Sequence, residues 1–288
     1  MSIVTAWRTT DQVDKKAIKE ELLKMFAPFG GIGMFIQPDD RVLLKPDVSL
    51  PALPEDGLVT DLLLVGAMIE LALSAGAASV TVAESANVGY DTMENFCVAG
   101  YDYLCEESGA DLCDLNETKT VLRQVPQALL LEQLEVFQTL LLADVVINLP
   151  KLKVLPFEGF CGATTNLLGA IPPQERELLQ DKNLGRGLFD LSKLVIPDLT
   201  IMEGLSVNYL GEAEPWGLLL VGADTMAVDA VAAGVMGYQF DDLEYLQLAE
   251  QYGLSSTNPG DITIFGDDLT PLIRKVRGKR NEKQSSFN

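Results

Sequence analysis

Short apolar runs alternate with longer amphipathic stretches along nearly the whole chain, and this alternation constrains the fold most. RVLLKP (41–46), SVTVAES (79–85), ADVVINLP (143–150), LTIMEG (199–204) and GLLLVGAD (217–224) are each apolar at consecutive positions. That pattern marks strands covered on both faces, as in sheets whose parallel strands are joined by helices. Between them lie helical patterns. Residues 9–31 carry apolar residues at helical spacing, with Thr10 or Asp11 as cap and Gly30–Gly31 as stop. Thr60 can cap DLLLVGAMIELALSAG, and Asp224 can cap DTMAVDAVAAGVMG. The chain therefore reads as α/β: a mixed, largely parallel sheet with helices on both faces, one compact unit or two lobes. Residues 1–270 form a single domain in this reading, and 271–288 form a basic tail.

The net charge is −21, from 21 Lys and Arg against 42 Asp and Glu. Without the tail it is −26, from 15 basic against 41 acidic residues. Such a body repels phosphates, so neither nucleic acid nor an anionic membrane surface is the expected partner. The apolar run LLLVGAMIELALSAGAASVTVA is broken by Glu70 and reads as a core helix feeding a strand. With no basic leader in MSIVTAWRTTDQVDKK, the expected location is the cytoplasm. Cys97, Cys105, Cys113 and Cys161 contain no closely spaced pair. They read as packed thiols, so neither a metal site nor an iron–sulfur cluster is expected.

Ligands of open α/β sheets bind beyond the carboxyl ends of the strands, and the unusual polar residues lie at the strand ends. Lys45 and Asp47 follow the second strand, and Glu84 ends the third. Lys151 and Lys153 follow ADVVINLP, Glu203 follows LTIM, and Asp224 follows GLLLVGA. In CGATTNLLGAI, a helix start at Thr164–Asn166 would offer backbone N–H groups to a carboxylate or phosphate. Lys151 and Lys153 share one side of an extended chain, so the pair implies a negative partner: a bound anion, or the protein's own carboxylates. Asp224 and Asp229 diverge by about 140° on a helix and do not chelate as a local pair.

These blocks, in order, resemble the prokaryotic "domain of unknown function 362" family. The resemblance rests on DRVLLKPDVS, GLVTD, GAASVTVAES, ADVVINLPKLKV, GATTNLLGAIP, LTIMEG and GLLLVGADTMAVDAVAAGVMGY, over roughly residues 38–266. Longer members carry a ferredoxin-like segment, which this chain lacks. Where members continue the lysine run with threonine and histidine, this chain has Val154 and Leu155. It has Thr165 in place of the lysine before Asn166, and Glu203 where an aspartate is usual. A fainter likeness to nickel-pincer lactate racemases meets the same gap, because their acid–base chemistry uses histidines and this chain has none.

Two functions follow. One is a site for a small anion, carboxylate or phosphate, with Lys45, Lys151 and Lys153 supplying charge beside Asp47. Thr164 and Asn166 would then orient the ligand, and Glu84, Glu203 or Asp224 would serve as acid–base group or metal ligand. Without histidine, an acid–base group must be a carboxylate raised, or a lysine lowered, by burial. The other is a non-catalytic accessory or partner-binding relative that has lost the polar centre. A cleft where the lysines converge favours the first; one filled by Leu155, Phe157 or Phe160 favours the second.

Overall fold

A computed structural model describes residues 2–156 and 159–286, with residues 280–286 as backbone. β1 (Ser2–Arg8) leads into α1 (Lys15–Met25), and β2 (Arg41–Pro46), α2 (Leu62–Ser74) and β3 (Ser79–Glu84) follow. Next come α3 (Thr92–Ala99), α4 (Tyr101–Ser108), β4 (Asp111–Asp114) and a hairpin of β5 (Thr120–Gln124) and β6 (Gln133–Phe137). α5 (Gln138–Leu142) precedes β7 (Val145–Leu149), β8 (Lys153–Leu155) and β9 (Gly159–Cys161). After α6 (Ala163–Asn166) and α7 (Pro173–Leu191), the chain forms β10 (Leu199–Tyr209) and β11 (Glu212–Gly222). α8 (Thr225–Val235), α9 (Glu244–Gln251), β12 (Ile262–Gly266) and α10 (Thr270–Ser286) complete it.

The main sheet runs β12-β1-β11-β10-β7-β2-β3-β4, and β8 and β9 extend it beyond β10. Pairing along this path is parallel except where β11 lies antiparallel to β1 and β10. The expected mixed, largely parallel α/β fold is therefore the observed one. The alternating faces explain why the strands are apolar throughout. Val42, Leu44, Val80, Val82, Val145 and Ile147 pack under α1 and α2, against Ile18, Leu22, Leu64 and Met68. Met202, Leu218 and Leu220 face the other way, against Met226 and Ala227 of α8 and Leu246 of α9.

Three local readings change. Asp14, rather than Thr10 or Asp11, caps α1, accepting from Ala17 N at 2.8 Å. Asp61, rather than Thr60, caps α2 through Leu63 N at 2.8 Å. Thr60 is fully buried and ties two loops together: its hydroxyl donates to Leu149 O at 2.7 Å and accepts from Asp47 N at 2.9 Å. The basic segment folds back along its first half, where Leu272 and Val276 of α10 enter the core. Lys279 reaches Glu214 at 2.5 Å.

The third change decides where one candidate residue goes. LTIMEG and GLLLVGAD are parts of two eleven-residue strands joined at Leu210–Gly211, both with positive φ (56° and 92°). A two-residue turn of that hand twists with the strands it joins and makes them antiparallel. β11 therefore ends at the opposite edge of the sheet from β10. Among the described residues no helix is long and apolar enough to cross a membrane.

Candidate functional site

β2, β3 and β7 run parallel and end at one edge, and their terminal polar side chains meet there. Lys45 Nζ donates to both oxygens of Glu84 at 2.9 Å and to Asn166 Oδ1 at 3.3 Å. The amide of Asn166 donates to Asn148 Oδ1 at 2.8 Å, and that of Asn148 to Ala163 O at 2.9 Å, linking β7 to α6. Glu84 also accepts from Ser85 N at 2.7 Å. Burial pushes the Lys45 ammonium below its ordinary range, opposed by the charge of Glu84. Burial likewise pushes the Glu84 carboxyl up, opposed by Lys45. Both move towards the neutral form, and the pair sums to zero charge whichever residue holds the proton. Gly169 makes room for it: a Cβ there would collide with Glu84 Oε1 and stand 2.6 Å from Lys45 Nζ.

A concave cleft of about 380 Å³ opens over this pair. Its lining includes the charged Asp47, Glu84, Lys153, Arg176 and Glu177 and the polar Asn166, together with Val88 and Tyr90. Lys153 Nζ lies 2.9 Å from Asp47 Oδ2 and donates to Leu58 O at 2.8 Å. Arg176, on the first turns of α7, is 5% exposed. Its Nε donates to Ile171 O at 3.0 Å, its Nη1 to Ser85 O at 3.1 Å and Ala86 O at 2.9 Å, and its Nη2 to Ser85 Oγ. Among the described residues no carboxylate lies within 4.0 Å of this guanidinium, although burial holds it below its ordinary pKa.

Four candidates lie elsewhere. Lys151 and Glu203 form a separate pair at 2.5 Å with no exposure on either side. It sits under the entry to α2, where Glu203 accepts from Asp61 N at 3.0 Å and Leu205 N at 2.5 Å. Burial raises the Glu203 carboxyl, against the charge of Lys151. The backbone N–H of Thr164 does not wait for a ligand. The buried carboxylate of Asp229 accepts from Ala163 N at 2.5 Å, Thr164 N at 2.8 Å and the Tyr245 hydroxyl at 3.0 Å. Asp224 lies at the opposite sheet edge, because β11 is antiparallel. There it caps α8 through Met226 and Ala227 N at 3.1 Å and accepts from Ser2 and Ser255 hydroxyls.

Leu155 and Phe160 do not fill the cleft. Phe160 packs edge-on against Tyr238 at 5.7 Å in the core, and Phe157 lies outside the described residues. Among the described residues, no three Cys, Asp or Glu side chains converge in a way that could hold a metal ion.

Residues 42–234 match the family model described as "Domain of unknown function (DUF362)". The chain belongs to the DUF362 family. The protein is also 27% identical over 249 residues to the thylakoid-associated protein sll1697 of Synechocystis sp., covering 82% of this DUF362 chain and 75% of the relative. The solved lactate racemase apoprotein from Thermoanaerobacterium thermosaccharolyticum superposes with a TM-score of 0.43 at 11% identity, over 76% of this chain and 54% of that one.

Two residues of this DUF362 protein's polar centre, Arg176 and Asn148, escaped the sequence reading, and a third, Asp229, enters it without its partner. Arg176 sits in a run of charged helical residues, QERELLQDK, that looks like a solvated face. Its burial comes from Ser85 and Ala86, some ninety positions away. Asn148 is masked inside an apolar strand. Asp229 is separable from Asp224 only by helical phase, which points it inward to α6.

Proposed function

We propose that this DUF362 protein binds a small anion, a carboxylate or phosphate, in the cleft at the ends of β2 and β3. It would do so in the cytoplasm and without nucleic acid. One observation carries the reading: Arg176 is a buried guanidinium that lines the cleft with no carboxylate in contact among the described residues. Lys45 offsets Glu84 and Lys153 offsets Asp47, which leaves Arg176 as one positive charge without a contacting carboxylate. A buried charge without a contacting partner is costly, and the charge of Glu84, already paired with Lys45, only partly opposes that cost at Arg176. A guanidinium has five N–H donors, and four of the Arg176 donors reach protein acceptors. The remaining Nη2 donor suits an anion oxygen, with Lys153 and Asn166 in the same cleft. The Lys45–Glu84 pair beneath supplies the raised carboxylate and lowered amine that a histidine-free acid–base centre needs.

A second reading has an observation of its own. Lys151 and Lys153 already hold carboxylates of this chain at 2.5 and 2.9 Å, as expected of a polar centre that is purely structural in an accessory or partner-binding relative. Thermal melts with phosphate and a panel of small carboxylates separate the two. At an anion concentration of about 100 Kd the anion reading expects about 2.7 kcal/mol of stabilisation. Arg176→Lys, which keeps the charge but loses the fork, should weaken that response. Absence of stabilisation by any anion favours the structural reading.

A further inference from the structure

Resting on that anion site, we propose that its ligand is amphipathic: a carboxylate whose aliphatic or aromatic portion lies against Val88 and Tyr90. A bare phosphate or acetate leaves most of the cleft empty. At about 380 Å³ it falls in the range of pockets for whole small molecules, roughly 300–1,000 Å³, whereas one water takes about 30 Å³. The buried charged lining is Asp47, Glu84, Lys153 and Arg176, with Lys45 beneath Glu84, and the exposed Glu177 adds a carboxylate at the surface.

The side of the cleft is different in character. Val88 is 55% exposed and Tyr90 52% exposed, and both line the cleft. They stand on the segment that leaves β3 directly after Glu84, so Glu84 and the apolar side are neighbours in the chain. The segment is fastened at its base: Asn87 N donates to Ser49 O at 2.9 Å, Ala86 N to Thr92 Oγ1 at 3.1 Å, and Tyr90 N to Asn87 O at 3.1 Å. At its tip, a Cβ added to Gly89 would meet nothing within 4 Å among the described residues. An exposed valine and an exposed tyrosine ring beside buried charges suit a ligand with one charged and one apolar end.

The test is a calorimetric series of acetate, butyrate, hexanoate and phenylacetate, with phosphate alongside, on the full chain and on Val88→Ser, Tyr90→Ser and the double variant. Affinity is expected to rise about fourfold per added methylene over the first few, with phenylacetate tighter than acetate. The hexanoate-to-acetate affinity ratio should fall at least tenfold in the double variant. A flat series with measurable acetate or phosphate binding overturns the amphipathic ligand and leaves the anion site standing. A ratio that survives the double variant also overturns it, since the apolar portion then lies elsewhere. If neither phosphate nor any carboxylate binds, both readings fall. If wild type is a dimer and Tyr90→Ser a monomer by sedimentation, the apolar side is a subunit contact and the inference is wrong.

Discussion

Lys45 holds its ammonium nitrogen 2.9 Å from both carboxylate oxygens of Glu84, with 0% and 1% of the two side chains exposed. Removing one partner of such a pair strands the other in a medium that cannot solvate it. Lys45→Met or Glu84→Leu alone should cost about 3–5 kcal/mol, and the double variant much less than their sum. Urea unfolding of the three variants measures this. Additive losses would mean that the two residues are not coupled.

Asp224 is tied to the α8 terminus and to two serine hydroxyls, far from the cleft. Asp224→Ala should lower stability by about 1–2 kcal/mol and leave the response to anions intact. Loss of that response with stability preserved would return the residue to the site.

Lys151 is fully enclosed with Glu203, so Lys151→Ala breaks a buried pair and opens a cavity beside Glu203, and should cost about 3–5 kcal/mol. The thermal shift given by phosphate should change little, because the pair does not line the cleft. A variant with normal melting and no phosphate response would contradict this placement.

Burial raises the carboxyls of Glu203 and Asp229. The folded protein therefore keeps these protons at pH values where the unfolded chain has released them. Stability should fall as pH rises from about 4.3 through the raised values. Asp144 has the opposite sign: the Arg41 guanidinium holds it down to about 2. Its contribution is present above about pH 4 and is lost as pH falls towards 2. The melting temperature should fall as pH rises above about 4.3, and Asp229→Asn should make that fall shallower. An Asp229→Asn variant with an unchanged pH dependence would contradict the assignment.

Much of the fold was legible because burial on both faces leaves a plain mark on the strands. β2, β3 and β7 end where their sequences turn polar, and Lys45 and Glu84 meet as their strand-end positions suggest, with Asn166 of α6 against Lys45. Direction was not legible. GLLLVGAD is apolar throughout whether it runs parallel or antiparallel, and only the Leu210–Gly211 turn reverses it. That reversal carries Asp224 to the wrong edge for the cleft. The α6 N-terminus looked open because Asp229, which closes it, is 66 residues away. Arg176 was hidden for the same reason: its partners belong to the loop after β3, and no local spacing announces them.

The central claim is that the cleft over Lys45 and Glu84 receives an anion beside Arg176. Anomalous diffraction from crystals soaked in low-millimolar selenate locates such an anion directly. The account predicts a selenium peak in the cleft within hydrogen-bond reach of the Arg176 Nη2 and the Lys153 Nζ, displaced by phosphate and absent in Arg176→Gln. An empty cleft under selenate, with the Arg176 guanidinium still bound only to Ile171, Ser85 and Ala86, would contradict it.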